Sequence, residues 1–171
     1  MDEPNHPTLV PGNEKAPRVL PLGLVRDRYT SHNAMTTGNA SMNTIAVPVS
    51  FGELIDKITI LEIKAERIGD AAKVANVRTE LEMLNATWGA HAASATDIAD
   101  ARARLRAVNE ALWDIEDRIR VKEKARAFDA EFIELARSVY VRNDERAAVK
   151  REINAALGST LVEEKSYEDY R

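Results

Sequence analysis

The sequence has no cysteine and only three histidines. Without cysteine the chain forms neither disulfides nor thiolate metal sites, and it lacks a cysteine nucleophile. Of His6, His32 and His91, only the last lies in the part of the chain with a regular folding pattern. One imidazole is too few for a multi-histidine metal site. We therefore expect no metal and no other cofactor.

The sequence also has no large excess of charge of one sign. Its 24 basic and 28 acidic residues are interspersed and give a net charge of -4. Because nucleic acids and anionic membranes bind clustered positive charge, we expect neither as a partner. The opening "MDEPNHPTLVPG" does not resemble a signal peptide, and the stretch 29–52 is too polar to cross a bilayer about 30 Å thick. We expect a soluble cytoplasmic protein.

Proline is absent after residue 48, although the chain has six prolines. Residues 1–43 are rich in Pro, Gly, Asn and Thr and have few large apolar side chains. Such a segment cannot offset the cost of ordering a backbone, about 1–2 kcal/mol per residue. The composition predicts a disordered N-terminal extension over residues 1–43 and a helical domain over residues 44–171.

Helical patterns begin at "PVSFGELIDKITILEIKAER", residues 48–67. Ser50 and Glu53 form a capping box, and Gly69 is suited to end the first helix. Apolar residues then recur at alternating spacings of three and four, and Asp129 is a good N-cap for a fourth helix. The pattern predicts helices at about 51–68, 71–89, 97–126 and 130–157.

The spacing and the short connections predict an all-α fold. It is an antiparallel four-helix bundle or a set of long helical hairpins with coiled-coil-like seams, in which sequential helices are neighbours. Helix 3 is predicted to exceed helix 1 by roughly 18 Å at 1.5 Å per residue. A second copy of the chain would cover the overhang, either there or across helix 1, so we expect a homodimer.

Helix 1 is apolar on two faces, because Ile60 and Ile63 lie opposite its main seam and beside Asp56. It is therefore sandwiched, either within its own bundle or between two subunits. Asp56 and Thr59 are then buried, and a buried carboxylate needs a partner. Asp56 forms either a structural salt bridge to an Arg or Lys of helix 3 or 4, or a contact with a ligand.

Helix 4 contains "RNDERAAVKRE", which places polar residues where the core should be. One register puts Arg142 and Arg146 in the seam, and the other puts Asn143 and Lys150 there. These side chains either line a cavity that takes an anion, or Asn143 caps a second helix, so that helix 4 is broken and the basic residues face solvent.

Helix 3 has a polar stripe of Asn109, Trp113, Glu116 and Arg120 at spacings of four, three and four. Trp113 is either a stacking platform for a sugar or base or the rim of a packing interface. Helix 3 also has three carboxylates on one face, Glu110, Asp114 and Asp117. All-α pyrophosphohydrolases bind Mg²⁺ through acidic clusters of this kind. Here, however, Asp114 and Asp117 project away from the seam.

Five blocks occur in order over residues 45–167: "VSFGELIDKITILEIKAERI", "VANVRTELEMLN", "VNEALWDIEDRIR", "FIELARSVYVRNDERAAVKREIN" and "LVEEKSY". Together they resemble a bacterial family of uncharacterised short helical proteins, a domain of unknown function. The resemblance implies a link to cell-surface polysaccharide biosynthesis but no activity. Helix 1 is also similar to the first helix of all-α chorismate mutases, from whose long first helix it departs by ending at Gly69.

We expect a non-catalytic helical module that binds a protein partner or an anionic or sugar-containing small molecule. Arg146 and Lys150 would hold the anion, Trp113 would stack on the ligand, and Asp56 and Glu116 would accept hydrogen bonds. The alternative is an all-α enzyme acting on a phosphorylated or carboxylated small metabolite. It would use the same basic residues as a clamp and Asp56 or Glu116 as general base.

Overall fold

Four α-helices make up most of the chain that the computed structural model describes, which is residues 44–162, 164 and 166. No β-strand occurs among these residues, and the predicted all-α fold is confirmed. The predicted disordered extension over residues 1–43 lies outside them. The helices are α1 (Phe51–Arg67), α2 (Ala71–Ala90), α3 (Ala99–Ala125) and α4 (Ala130–Ala156), with a short 3-10 helix (Ala92–Ala95) before α3.

Side-chain caps start three of the four helices. The Ser50 hydroxyl accepts from the Glu53 amide at 3.3 Å, and the Asp70 carboxylate caps α2. The Asp129 carboxylate accepts from the amide of Phe132 at 3.0 Å at the start of α4. These bonds satisfy amides that a helix leaves without a partner in its first turn. Membrane insertion is not indicated for any helix in the described range, since none combines the necessary length with sufficient apolar character.

Helix α1 lies at the centre of the fold and contacts α2, α3 and α4. Its two apolar faces are thus covered within one chain, which is the first of the two predicted arrangements. Helices α3 and α4 pack along each other as a hairpin, whereas the backbones of α2 and α3 do not approach each other closely. The expectation that all sequential helices are neighbours is therefore wrong for α2 and α3, because the backbone of α2 approaches α1 and the 3-10 helix instead.

The core lies where α1 meets the hairpin of α3 and α4. Fully burying a large aliphatic side chain contributes roughly 1.5–3 kcal/mol, so this cluster is a main source of stability. Each of the three helices supplies two buried residues to it: Ile55 and Ile58, Ala101 and Leu105, and Val149 and Ile153. No residue of α2 is buried, and this helix instead packs half-exposed apolar side chains against the cluster.

Helix α4 is continuous through Asn143, so the predicted alternative of a broken fourth helix is wrong. The Asn143 side-chain amide donates to the backbone carbonyl of Val139 at 2.9 Å, one turn earlier, and does not cap a new helix. The basic residues that follow do not simply face solvent either. Arg146 and Lys150 both pair with carboxylates of α1.

The hairpin extends beyond α1, because α3 and α4 have 27 residues each and α1 has 17. A difference of ten residues at 1.5 Å per residue corresponds to about 15 Å. The far turn is closed by Lys122, whose ammonium contacts Asp129 at 2.8 Å and Glu131 at 2.6 Å. Hydrogen bonds from Lys122 lower the pKa of both carboxyl groups.

Helices α1 and α4 approach most closely at Gly52. Its amide donates to the Asn154 side-chain oxygen at 2.6 Å, and a Cβ at this position would lie 2.5 Å from the Lys150 carbonyl oxygen. We therefore expect Gly52→Ala to separate the two helices and to lower the free energy of unfolding by about 1–3 kcal/mol, as overpacked cores do. Circular dichroism with urea measures the change.

The matched control is Gly89→Ala in α2, where a Cβ would meet nothing within 4 Å. Alanine favours a helix over glycine by up to about 1 kcal/mol, so the control variant should be as stable as the parent or more so. Equal unfolding midpoints for the two variants would show that α1 and α4 do not make this close contact.

Candidate functional site

A buried ion pair joins α1 to α4. Asp56 is 1 % exposed, and Arg146 donates to both of its carboxylate oxygens, from Nε to Oδ1 at 2.8 Å and from Nη2 to Oδ2. This two-point contact fixes the plane of the guanidinium group. The structural salt bridge to a cation of helix 4, one of the two interpretations of Asp56, is therefore present. A carboxylate this buried is not accessible to a ligand.

Two further polar side chains complete the surroundings of Asp56. The Asn109 amide donates to Asp56 Oδ1 at 2.9 Å and to the Thr59 hydroxyl oxygen at 3.0 Å. The Thr59 hydroxyl donates to the backbone carbonyl of Asp56 at 2.8 Å. A buried charge is tolerated when its remaining lone pairs are satisfied in this way. Helices α1, α3 and α4 thus meet at one polar network.

An open groove of about 380 Å³ lies beside this network, between α1, α3 and α4. Its volume falls within the roughly 300–1,000 Å³ that small-molecule sites occupy. Arg146 belongs to both features, because it pairs with Asp56 and also lines the groove, with 27 % of its side chain exposed. The lining residues are Ile60, Lys64, Asn109, Leu112, Trp113, Glu116, Asp117, Arg120, Asn143 and Arg146.

The groove lining has three cations and two carboxylates, a surplus of one positive charge. Arg120 is engaged by both carboxylates, at 2.8 Å from Glu116 and 3.6 Å from Asp117. Lys64 makes no ion pair with any described residue. Its ammonium group is thus the cation in the lining that no carboxylate of the described chain neutralises.

The structure brings together three of the five predicted site residues. Trp113, Glu116 and Arg146 line the groove, whereas Asp56 lies behind Arg146 and takes no part in the lining. Lys150 also lies elsewhere, since its ammonium group pairs with Glu53 at 2.6 Å and only 8 % of its side chain is exposed.

The separation of Lys150 from the groove follows from the direction of α1. A spacing of four places Lys150 one turn after Arg146 on the same side of α4. Helix α1 runs antiparallel to α4, so its first turn lies over Lys150 and covers it. Lys64 was not among the predicted site residues, although it follows Ile60 by four residues on the second face of helix 1.

The acidic residues on the other flank of α1 and α3 are paired with arginines. Arg106 contacts Glu66 at 2.5 Å and Glu110 at 3.0 Å, and Arg102 contacts Glu62 at 2.5 Å. The hydrogen bond that Arg106 donates to Glu66 is the main cause of the raised pKa of Arg106. Among the described residues no group of three or more histidines and carboxylates has a geometry suited to a metal ion.

The sequence model of a family of unknown function, DUF6165, matches residues 45–170. This match covers all of the helices, and the chain therefore belongs to that family. No curated protein and no solved structure matches the chain. The family description assigns no activity.

The two partners of the buried pair should differ in their sensitivity to mutation. Arg146→Ala leaves a charged carboxylate buried with no cation, which typically costs about 3–5 kcal/mol. Asp56→Ala leaves a guanidinium group that is partly exposed and reaches water. We therefore expect the Arg146 variant to be the less stable of the two in urea unfolding.

The exposed pair of Arg118 and Glu131 provides the control. Arg118→Ala should change the unfolding midpoint little, because exposed ion pairs contribute little to stability. If Arg146→Ala lowered the unfolding midpoint as little as Arg118→Ala does, Arg146 would not be needed to stabilise the buried carboxylate of Asp56.

Proposed function

We propose that the groove binds a small anionic ligand with a sugar or another flat body, and that the protein acts as a binding module without catalysis. The observation that carries the proposal is the convergence of Trp113 with Lys64, Arg120 and Arg146 around one groove of about 380 Å³. Pockets of this size with a few convergent polar groups are typical ligand sites.

The anionic part of the ligand would lie between Lys64 and Arg146. Lys64 offers a charge without a counterion in the described chain, and Arg146 is held in a fixed orientation by Asp56. A group that is oriented before binding loses little conformational entropy when the ligand arrives. Phosphate and carboxylate groups both fit such a pair of cations.

The flat part of the ligand would stack on Trp113, which is half-buried in the groove wall. Indole rings offer an apolar face to sugars and bases, and the carboxylate of Glu116 accepts hydrogen bonds from hydroxyl groups. A sugar-containing ligand also agrees with the link to cell-surface polysaccharide biosynthesis that the family resemblance suggested. We therefore place sugar phosphates and nucleotide sugars first among the ligand classes.

The groove chemistry favours binding over catalysis. None of the ten lining residues is a serine, threonine, cysteine, histidine or tyrosine. Asp56, one of the two candidate bases of the enzyme alternative, is buried and paired, and Glu116 contacts Arg120 at 2.8 Å. Incubation of the protein with each bound ligand, followed by NMR, should show the ligand unchanged. Turnover would favour the enzyme.

Tryptophan fluorescence tests binding directly, because the chain has only two tryptophans. Trp88 packs edge-on against Phe51, with ring centroids 6.1 Å apart, so Trp88→Phe retains an aromatic ring there and leaves Trp113 as the single reporter. We expect a sugar phosphate to change the Trp113 emission and to raise the melting temperature, as ligands of the native state do. No response to any member of a sugar phosphate and nucleotide sugar set at millimolar concentration would contradict small-molecule binding.

A pair of lysine variants separates a local effect from a general effect of charge. Lys64→Gln should weaken binding by at least about tenfold, since a hydrogen bond to a charged group contributes roughly 1.5–3 kcal/mol. Lys73→Gln removes the same charge from exposed α2, outside the groove lining, and should leave the affinity unchanged. Equal losses in both variants would show that the anion is not held in the groove.

A further inference from the structure

The first half of α4 and the turn before it have an apolar stripe on their outer surface. Phe128, Ile133 and Tyr140 are 58 %, 54 % and 38 % exposed, and Phe128 packs edge-on against Phe132 at 5.2 Å. Exposed apolar patches of this kind often mark protein interfaces. We call the following residues the outer stripe: Phe128, Phe132, Ile133, Ala136, Val139 and Tyr140.

The outer stripe lies in the first half of α4, whereas two ion pairs hold α1 on the second half. These pairs join Asp56 to Arg146 and Glu53 to Lys150. Over residues 115–142 of the hairpin the only buried residue is Leu135, which is 5 % exposed. Two helices with one buried residue between them gain little from packing, so this region needs a further layer.

We propose that this layer is the same outer stripe of a second copy of the chain, packed antiparallel. The stripe repeats at spacings of four and three, as in Phe132, Ala136 and Val139, which is the spacing of helices that pack lengthwise. The complementary surface is therefore another helix with the same repeat. A two-fold symmetric dimer supplies it, because each copy presents the same patch to the other.

Charge at the edge of the stripe favours the antiparallel orientation. Arg137 and Asp144 follow Ile133 and Tyr140 by four residues each, so they lie on the same edge and seven residues apart. In an antiparallel pair Arg137 of each copy lies opposite Asp144 of the other. A parallel pair would place like charges together at both positions.

The size of the surface predicts a weak dimer. The stripe spans about 13 residues, or about 20 Å, along one helix roughly 10 Å wide, which gives roughly 200 Å² per copy. Stable interfaces bury about 800 Å² per partner. The dimer should therefore form only at high micromolar concentration and dissociate on dilution.

Single-cysteine variants test the dimer cleanly, because the chain has no cysteine of its own. If Arg137 faces Asp144 of the other copy, Tyr140 lies next to the two-fold axis. Tyr140→Cys should then form a disulfide-linked dimer under mild oxidation. Met83→Cys, at a position 54 % exposed on α2, should not. Equal yields from both variants, or a monomer mass for the unmodified chain by light scattering at 500 μM, would overturn the proposal.

Two further comparisons test the surface and the orientation. Ile133→Lys should make the protein monomeric at all concentrations with unchanged helicity, whereas Val121→Lys on α3 should leave the dimer intact. When Arg137→Cys and Asp144→Cys chains are mixed, the disulfide between unlike chains should exceed those between like chains. A dimer that persists in the Ile133→Lys variant would show that the outer stripe is not the interface. An excess of disulfides between like chains would contradict the antiparallel orientation.

Discussion

The register between α1 and α4 is the constraint on which the rest of the structure depends. Three polar residues at a spacing of four on α4 each meet a polar group in the first half of α1. A slip of one turn would place Arg142 or Lys150 opposite Asp56 in place of Arg146. It would also move Asn154 away from the Gly52 amide, so all three contacts would be lost together. The three contacts are Arg146 with Asp56, Lys150 with Glu53, and Asn154 with Gly52.

This register determines both surfaces that we consider functional. Because α1 is held over the second half of α4, the groove opens beside Arg146 and the outer stripe remains uncovered in the first half. Arg146 therefore has two roles, because it pairs with Asp56 in the fold and lines the proposed binding groove. The same ion pair that positions α1 also orients the guanidinium group in the groove wall, so the fold and the proposed binding site share one interaction.

Local signals in the sequence were sufficient to predict the helices. The cap at Ser50 and the apolar spacing define α1 without knowledge of its neighbours, and Asp129 does the same for the start of α4. The continuity of α4 at Asn143 was not predictable in this way, because an asparagine serves equally well as a cap or as a donor to the preceding turn. The partner of Lys150 depends on which helix crosses it, and that is decided by packing between distant segments.

The double-mutant cycle of Asp56→Ala and Arg146→Ala tests the central claim most directly. Urea unfolding of the parent, the two single variants and the double variant gives the coupling energy between the two side chains. The account predicts a favourable coupling of about 2–3 kcal/mol, at the upper end for residues in contact. A coupling below about 0.5 kcal/mol, as for independent sites, would contradict the claim that this pair holds α1 in register on α4.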